Sequence, residues 1–277
     1  MSGDPAGLRG RCALITGSTA SLGYAIAGHL AAQGAHVALH NLHDDAAARQ
    51  ARAELARRHG TQVLLQAADL NDVDQIEAMA GTVQREFGGI DIVVNNAVVR
   101  HFGPAETLPR RHWDEALAVN LSAAFHLARL SIPGMRARGW GRIVNISSVY
   151  GAGATANRVG YITTKTALLG LTRALAMETA QAGITCNAVS PGTVPTPAIV
   201  SRIAGIAREQ GISEQQASRD YLAERQPTGR FVDMDNVAAL VGFLCSEAGR
   251  DITGAALPID GGWTAARPLH PLLPVKP

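Results

Sequence analysis

Tyr161 and Lys165 stand four residues apart. Four residues is one helical turn, so on a helix the phenol and the ammonium share a face. A free phenol titrates near pH ~10 and is a poor acid–base catalyst at neutrality, whereas a cation one turn away favours its phenolate. Of the tyrosines, at 24, 150, 161 and 221, only Tyr161 has a lysine four residues on. The chain also uses lysine sparingly: of 25 Lys plus Arg residues only Lys165 and Lys276 are lysines. An ordinary surface ion pair is served by arginine, so a lysine here points to a compact point charge. The plain alternative is a solvated lysine on an amphipathic helix.

A second piece of chemistry opens the chain. The apolar run Arg11 to Ile15 breaks into Thr16-Gly17-Ser18-Thr19-Ala20-Ser21-Leu22-Gly23, and Leu22, Ile26 and Leu30 then recur every four residues. A buried strand, a small-residue turn and a helix start together make a phosphate site, because helix-end N–H groups point at the anion and glycines let it approach. Tight strand-to-helix turns also need glycine for steric reasons alone. The next strand, His36 to His40, runs into Asn41-Leu42-His43-Asp44. An acidic residue at such a strand end binds a ribose 2′-hydroxyl and a basic one favours a 2′-phosphate. Asn41 can bond a hydroxyl, and Asp44 and Asp45 repel a phosphate, so NAD is expected over NADP. After a third strand, Gln62 to Ala67, Asp69 and Leu70 stand at the adenine end. Asp69 either accepts from the adenine amino group or caps a helix starting at Asn71.

These groups must be positioned by alternating strands and helices. Strands are expected at 90–94, 142–146 and 184–189, with a long helix over 110–138 and another from the Tyr161 region to about 182. Asn120, near the middle of the first, is a poor helix-interior residue and should make a polar contact there. The alternation predicts an α/β fold: a Rossmann-type, doubly wound, mostly parallel sheet with helices on both faces, in one domain. Ligands of such sheets sit beyond the carboxyl ends of the strands, where Gly17, Ala97, Ser148 and Gly192 fall.

Composition narrows the alternatives. With 277 residues, 47% hydrophobic, the chain can fill one α/β domain, and no linker divides it. The net charge is +2 and the basic residues are scattered, which argues against nucleic acid and membrane surfaces as partners. Cys12, Cys186 and Cys245 lie in apolar runs without CxxC spacing, as buried reduced thiols do. No metal-ligand spacing is present. No signal-like start or membrane-length apolar run occurs, so a cytoplasmic protein is expected.

Thr16-Gly17…Gly23, Asn95-Asn96-Ala97, Asn120, Ser148, Tyr161-x-x-x-Lys165, Pro191-Gly192 and Asp260-Gly261-Gly262 resemble the short-chain dehydrogenase/reductase family, in order, over about residues 8 to 265. The resemblance implies roles by position. Tyr161 is the general acid/base, Ser148 bonds the reacting oxygen, Lys165 tunes Tyr161 and holds the nicotinamide ribose, and Asn120 holds the water of a proton relay. The cofactor would be held by Gly17, Thr19, Ser21, Leu22, Gly23, Asn41, Asp69, Leu70, Asn96, Ala97, Tyr161, Lys165, Pro191, Gly192, Val194 and Thr196. Two departures stand out: Ser21 replaces the middle glycine of the phosphate turn, and Val98 replaces the glycine usual after Asn95-Asn96-Ala97.

Within the family, Pro133 to Arg142, Thr185 to Ala188, Leu222 to Pro227 and Phe243 to Glu247 resemble bacterial D-3-hydroxybutyrate dehydrogenases. Those enzymes grip a small carboxylate with Gln, His, Lys and Gln, walled by Trp. The matching positions here are Arg100, Tyr150, Arg158 and Arg202, with Thr193 in place of one Trp and Trp263 retained. The resemblance therefore implies a small anionic hydroxy acid or keto acid substrate, bound also by Ser148 and larger or more substituted than 3-hydroxybutyrate, and a homotetramer. A lid is expected at about 198–231 and an irregular proline-rich tail at 266–277. The rival expectations are a reductase of 3-oxoacyl thioesters or other ketones using NADPH, and a catalytically silent nucleotide-binding regulator.

Overall fold

The computed structural model describes residues 7–266. Its strands are β1 (Cys12–Ile15), β2 (His36–Asn41), β3 (Val63–Ala67), β4 (Ile92–Asn95), β5 (Gly141–Ile146), β6 (Ile184–Pro191) and β7 (Ala256–Ile259). All pair in parallel, in the order β3-β2-β1-β4-β5-β6-β7. β1, β4, β5 and β6 are buried along their whole length, as strands covered by helices on both faces are, so that even polar residues such as Asn145 and Asn187 lie inside. The chain walks outward from β1 to β3, then returns to place β4 on the other side of β1. That reversal opens a crevice at the carboxyl ends of β1 and β4.

Helices cover both faces: α1 (Ser21–Ala32), α2 (Ala46–His59), α3 (Val73–Phe87), α4 (Arg110–Leu117), α5 (Ala123–Arg138), α6 (Val159–Thr179), α7 (Pro197–Gln210), α8 (Glu214–Ala223) and α9 (Met234–Cys245). One core lies under α1 and α9, with Ile26, Leu30, Val237 and Val241 against Ile15 and Val94. The other lies under α3 and α5, with Ile76, Met79, Leu127 and Met135 against Leu14 and Val93. Burying side chains of this size is worth about 1.5–3 kcal/mol each. All three cysteines are free and buried. No helix among the described residues is long and apolar enough to cross a membrane.

Two local readings are corrected, and the segment expected as a lid gains a defined structure. The helix expected over 110–138 is not continuous: α4 and α5 are joined by one π-helical turn, Ala118–Ser122, which holds Asn120. The helix after β3 runs over Val73–Phe87 as expected, but its cap is Asp72, whose carboxylate accepts from the amides of Asp74 and Gln75; Asp69 instead closes a small turn by accepting from the backbone and side-chain amides of Asn71. The expected lid is largely helical, because α7 and α8 bury Ile203, Ala207, Ala217, Tyr221 and Leu222 against one another in a small core of their own. The proline-rich tail lies outside the described residues.

Candidate active site

The crevice is a cleft of about 570 Å³, within the range of cofactor and small-molecule sites. Its floor is the turn after β1. Gly17 takes φ +60 there, in the left-handed region that favours glycine. Gly23 lets α1 press onto the turn, since a Cβ at that position would sit 2.2 Å from the Gly17 carbonyl oxygen. Thr16 and Asn96 staple the turn to the end of β4. The Thr16 hydroxyl oxygen accepts from the amides of Asn96 (2.9 Å) and Ala97 (3.0 Å), and Asn96 Nδ2 donates to the carbonyls of Thr16 and Gly17.

This turn fits a nucleotide diphosphate. Side chains cap α2, α3, α8 and α9, but the N-cap of α1 is Ala20, which offers no capping group. The first-turn N–H groups of α1 therefore remain for an anion, and Ala20, Ser21 and Leu22 line the cleft. Asn41, Asp69, Leu70, Asn96, Ala97, Pro191, Gly192, Val194 and Thr196 line it as expected; Thr19 lies in the turn but outside the cleft wall.

Tyr161, Lys165 and Ser148 meet at the far end of the cleft. Lys165 is fully buried, and its Nζ donates to the Ile146 carbonyl at 2.6 Å, which holds the ammonium 5.9 Å from the Tyr161 ring centre. Burial, and then the nearby Arg100 charge, lower the Lys165 pKa to about 7. Ser148 ends the extended stretch after β5, and its Oγ accepts from the Tyr150 amide at 3.2 Å. Asn120 makes the polar contact expected of it. Its Oδ1 accepts from Val99 N–H (2.8 Å) and its Nδ2 donates to the Val99 carbonyl (3.0 Å) and the Thr164 hydroxyl (3.3 Å). The π turn thus ties the strand-end loop after β4 to the helix that bears Tyr161.

A family model described as Enoyl-(Acyl carrier protein) reductase matches residues 17–264. The D-beta-hydroxybutyrate dehydrogenase of Cupriavidus necator is 43% identical over 259 residues, which is 93% of this chain and 99% of that protein. The enzyme of the same name from Rhizobium meliloti is 39% identical over 255 residues, 92% of this chain and 99% of that protein. This chain belongs to the short-chain dehydrogenase/reductase family. As a short-chain dehydrogenase/reductase it is an NAD(P)-dependent oxidoreductase acting on CH–OH groups. The crystal structure of L-sorbose reductase from Gluconobacter frateurii, complexed with NADPH and L-sorbose, matches with a TM-score of 0.90 at 30% identity over 95% of this chain and 100% of that one.

Of the residues of this short-chain dehydrogenase/reductase expected to bind substrate, Arg100 and Ser148 line the cleft, whereas Tyr150, Arg158 and Trp263 lie outside its wall. Arg100 lines the cleft, its guanidinium 5.4 Å from the Tyr161 ring centre. Arg158 lies between two aromatic faces, 4.8 Å from Phe102 and 5.3 Å from Tyr150. Tyr150 in turn packs edge-on against Tyr161 (6.3 Å) and Trp263 (5.6 Å). Arg202 is not brought in: α7 turns Ile203 and Ala207 inward, and Arg202 falls on its exposed side. Thr193 is buried outside the cleft wall, its amide donating to Gln226 and its carbonyl accepting from Val232 N–H.

Sequence reasoning missed several cleft residues, among them His40, Leu42, Ala68, Val99 and Glu115. Leu42 carried a readable signal: it is a large apolar side chain between polar neighbours, and it is 52% exposed at the adenine end. Val98, one of the two departures from the family pattern, also lines the cleft.

Proposed function

We propose that this protein is an NAD-dependent dehydrogenase that oxidises a small secondary hydroxy acid reversibly to its ketone. The observation that carries the reading is Arg100, a cation lining the cleft over the Tyr161 ring, with Arg158 held against Tyr150, which itself packs edge-on against Tyr161. A guanidinium beside the reacting group favours an anionic substrate and offers a carboxylate two parallel donors. The dehydrogenases from Cupriavidus necator and Rhizobium meliloti support the same substrate class by name.

In this reading Ser148 Oγ donates to the reacting oxygen and Tyr161 Oη takes its proton. The nicotinamide, when bound, supplies the acceptor for the hydride that leaves the same carbon. Gly17, Ser21, Leu22 and Gly23 hold the diphosphate, Lys165 holds the nicotinamide ribose, and Pro191, Gly192, Val194 and Thr196 face the carboxamide end. Asn120 maintains the loop after β4 through Val99 and orders the water of the proton relay.

Asn41 supports NAD. Its Nδ2 donates to the His43 carbonyl (3.0 Å) and to Asp45 Oδ2 (3.5 Å), which leaves Oδ1 as the free atom. A carbonyl oxygen accepts from a ribose hydroxyl and repels a 2′-phosphate. The second reading is an NADPH-dependent reductase of ketones or 3-oxoacyl thioesters, favoured by the NADPH in L-sorbose reductase and by the description of the family model.

The test is a hydroxy acid and its methyl ester, each assayed with NAD in wild type and Arg158→Ala. The acid should win by about tenfold or more in kcat/KM, and the variant should lose most of that preference. Equal turnover of the ester removes the carboxylate from recognition and promotes the reductase reading.

A further inference from the structure

His40 is the last buried residue of β2, and its ring lies in the wall of the nucleotide cleft. β2 stands between β1 and β3, so its carboxyl end reaches both flanking loops. The ring spans that distance. His40 Nδ1 accepts from the Gly17 amide at 3.0 Å, and Nε2 donates to the Ala68 carbonyl at 3.0 Å. An imidazole that accepts at one nitrogen and donates at the other is the neutral Nε2–H tautomer. The backbone of the same residue is tied to the next residue of the turn. His40 N–H donates to Ser18 Oγ (3.0 Å), the His40 carbonyl accepts from Ser18 N–H (2.9 Å), and Ser18 Oγ donates onward to the Ile15 carbonyl (2.7 Å).

We propose that His40 is a positioning residue for the cofactor, fixing the Gly17 peptide of the diphosphate turn against the adenine-side loop that follows β3. Gly17 has no Cβ to restrain it and sits at a positive φ, so its peptide plane is set by what its N–H and C=O bond to. The carbonyl is held by Asn96 Nδ2 and the N–H by His40 Nδ1. Loss of the second restraint frees the turn to rotate, and the diphosphate must then order it on binding. The ring is suited to this task because burial favours its neutral form. Asp69, the residue after Ala68, is the titratable neighbour on the β3 side; Gly17 and Ser18 bring none from β1.

The inference rests on the nucleotide site alone and is independent of the substrate reading. It is tested by titrating NADH and NADPH fluorescence into wild type, His40→Leu, His40→Asn and His40→Gln, using whichever nucleotide wild type binds more tightly. His40→Leu should weaken binding about tenfold or more while leaving kcat at saturating cofactor within about twofold, because Tyr161, Ser148 and Lys165 are untouched. His40→Asn should recover most of the loss, since its Oδ1 can stand where Nδ1 accepts; His40→Gln, whose longer side chain places its amide nearer Ala68, should recover less. Wild-type affinity in His40→Leu, or Asn no better than Leu, overturns the proposal. Should the leucine variant fail to fold, the Asn and Gln pair decides, together with the ¹⁵N signals of the His40 ring in ligand-free wild type. These should show the neutral Nε2–H form at pH 7; a protonated Nδ1 overturns the proposal without any ligand present.

Discussion

Lys165 Nζ lies 2.6 Å from the carbonyl oxygen of Ile146, at the end of β5. The bond fixes the ammonium beneath the cleft but does not restore the hydration that burial removes, and the Arg100 charge opposes it further, so the pKa falls to about 7. An unfolded lysine titrates near pH ~10.4. Between those values the unfolded chain binds the extra proton and the folded chain does not, so stability should rise with pH across this window. Unfolding midpoints of the ligand-free protein from pH 7 to 10 should climb more steeply in wild type than in Lys165→Met. Parallel curves would show that Lys165 titrates normally. In Arg100→Gln the lower edge of the window should move upward, because the second opposing influence is gone.

Tyr161→Phe should cost turnover about 10²- to 10⁴-fold, the usual worth of a general acid–base group. The phenyl ring keeps its packing against Tyr150 and Arg100, so the melting temperature and NADH affinity should stay near wild type. A variant keeping half its activity would move the proton transfer to another group.

Ser21 adopts φ +49, in the left-handed region, and is one of two non-glycine residues among those described with positive φ. That conformation costs an L-residue roughly 1–2 kcal/mol. Ser21→Gly should therefore raise the melting temperature by about 2 °C, the glycine's greater unfolded-state entropy offsetting part of the gain. NADH affinity should be equal or higher, because a side chain leaves the cleft wall. A lower melting temperature would mean that the serine hydroxyl stabilises the turn by more than the backbone strain costs.

In the proposed reading, the tethered amide of Asn41 sets the choice of cofactor. NAD should exceed NADP in kcat/KM by about tenfold or more, equivalent to about 1.4 kcal/mol. Asn41→Arg removes the free acceptor and adds a cation, and should narrow or invert that ratio. Equal use of both cofactors by wild type would show that the strand end does not discriminate.

The sequence made the parallel order of strands and helices readable because β1, β4, β5 and β6 are buried on both faces and each ends in small or polar residues. Tyr161 and Lys165 were readable because their partnership is local, one turn of one helix. What escaped was set by contacts between distant segments. The π turn at Asn120 exists because its side chain reaches the backbone of Val99, twenty-one residues away, and nothing in the neighbouring sequence departs from a helix. His40 read as one more strand residue, since its partners Gly17 and Ala68 come from the loops of two other strands. Arg202 was misplaced for a different reason. A match of position fixes where a residue lies along the chain, but the phase of α7 decides which way it faces.

The small core shared by α7 and α8 has a consequence for where this chain tolerates change. Ile203 and Ala207 pack with Ala217, Tyr221 and Leu222, apart from the two cores that hold the sheet. The helical pair therefore carries its own packing, so that a substitution among these five residues leaves the two cores under the sheet in place. The converse holds for the turn beneath the nucleotide, where a side chain at Gly23 would strike the Gly17 carbonyl.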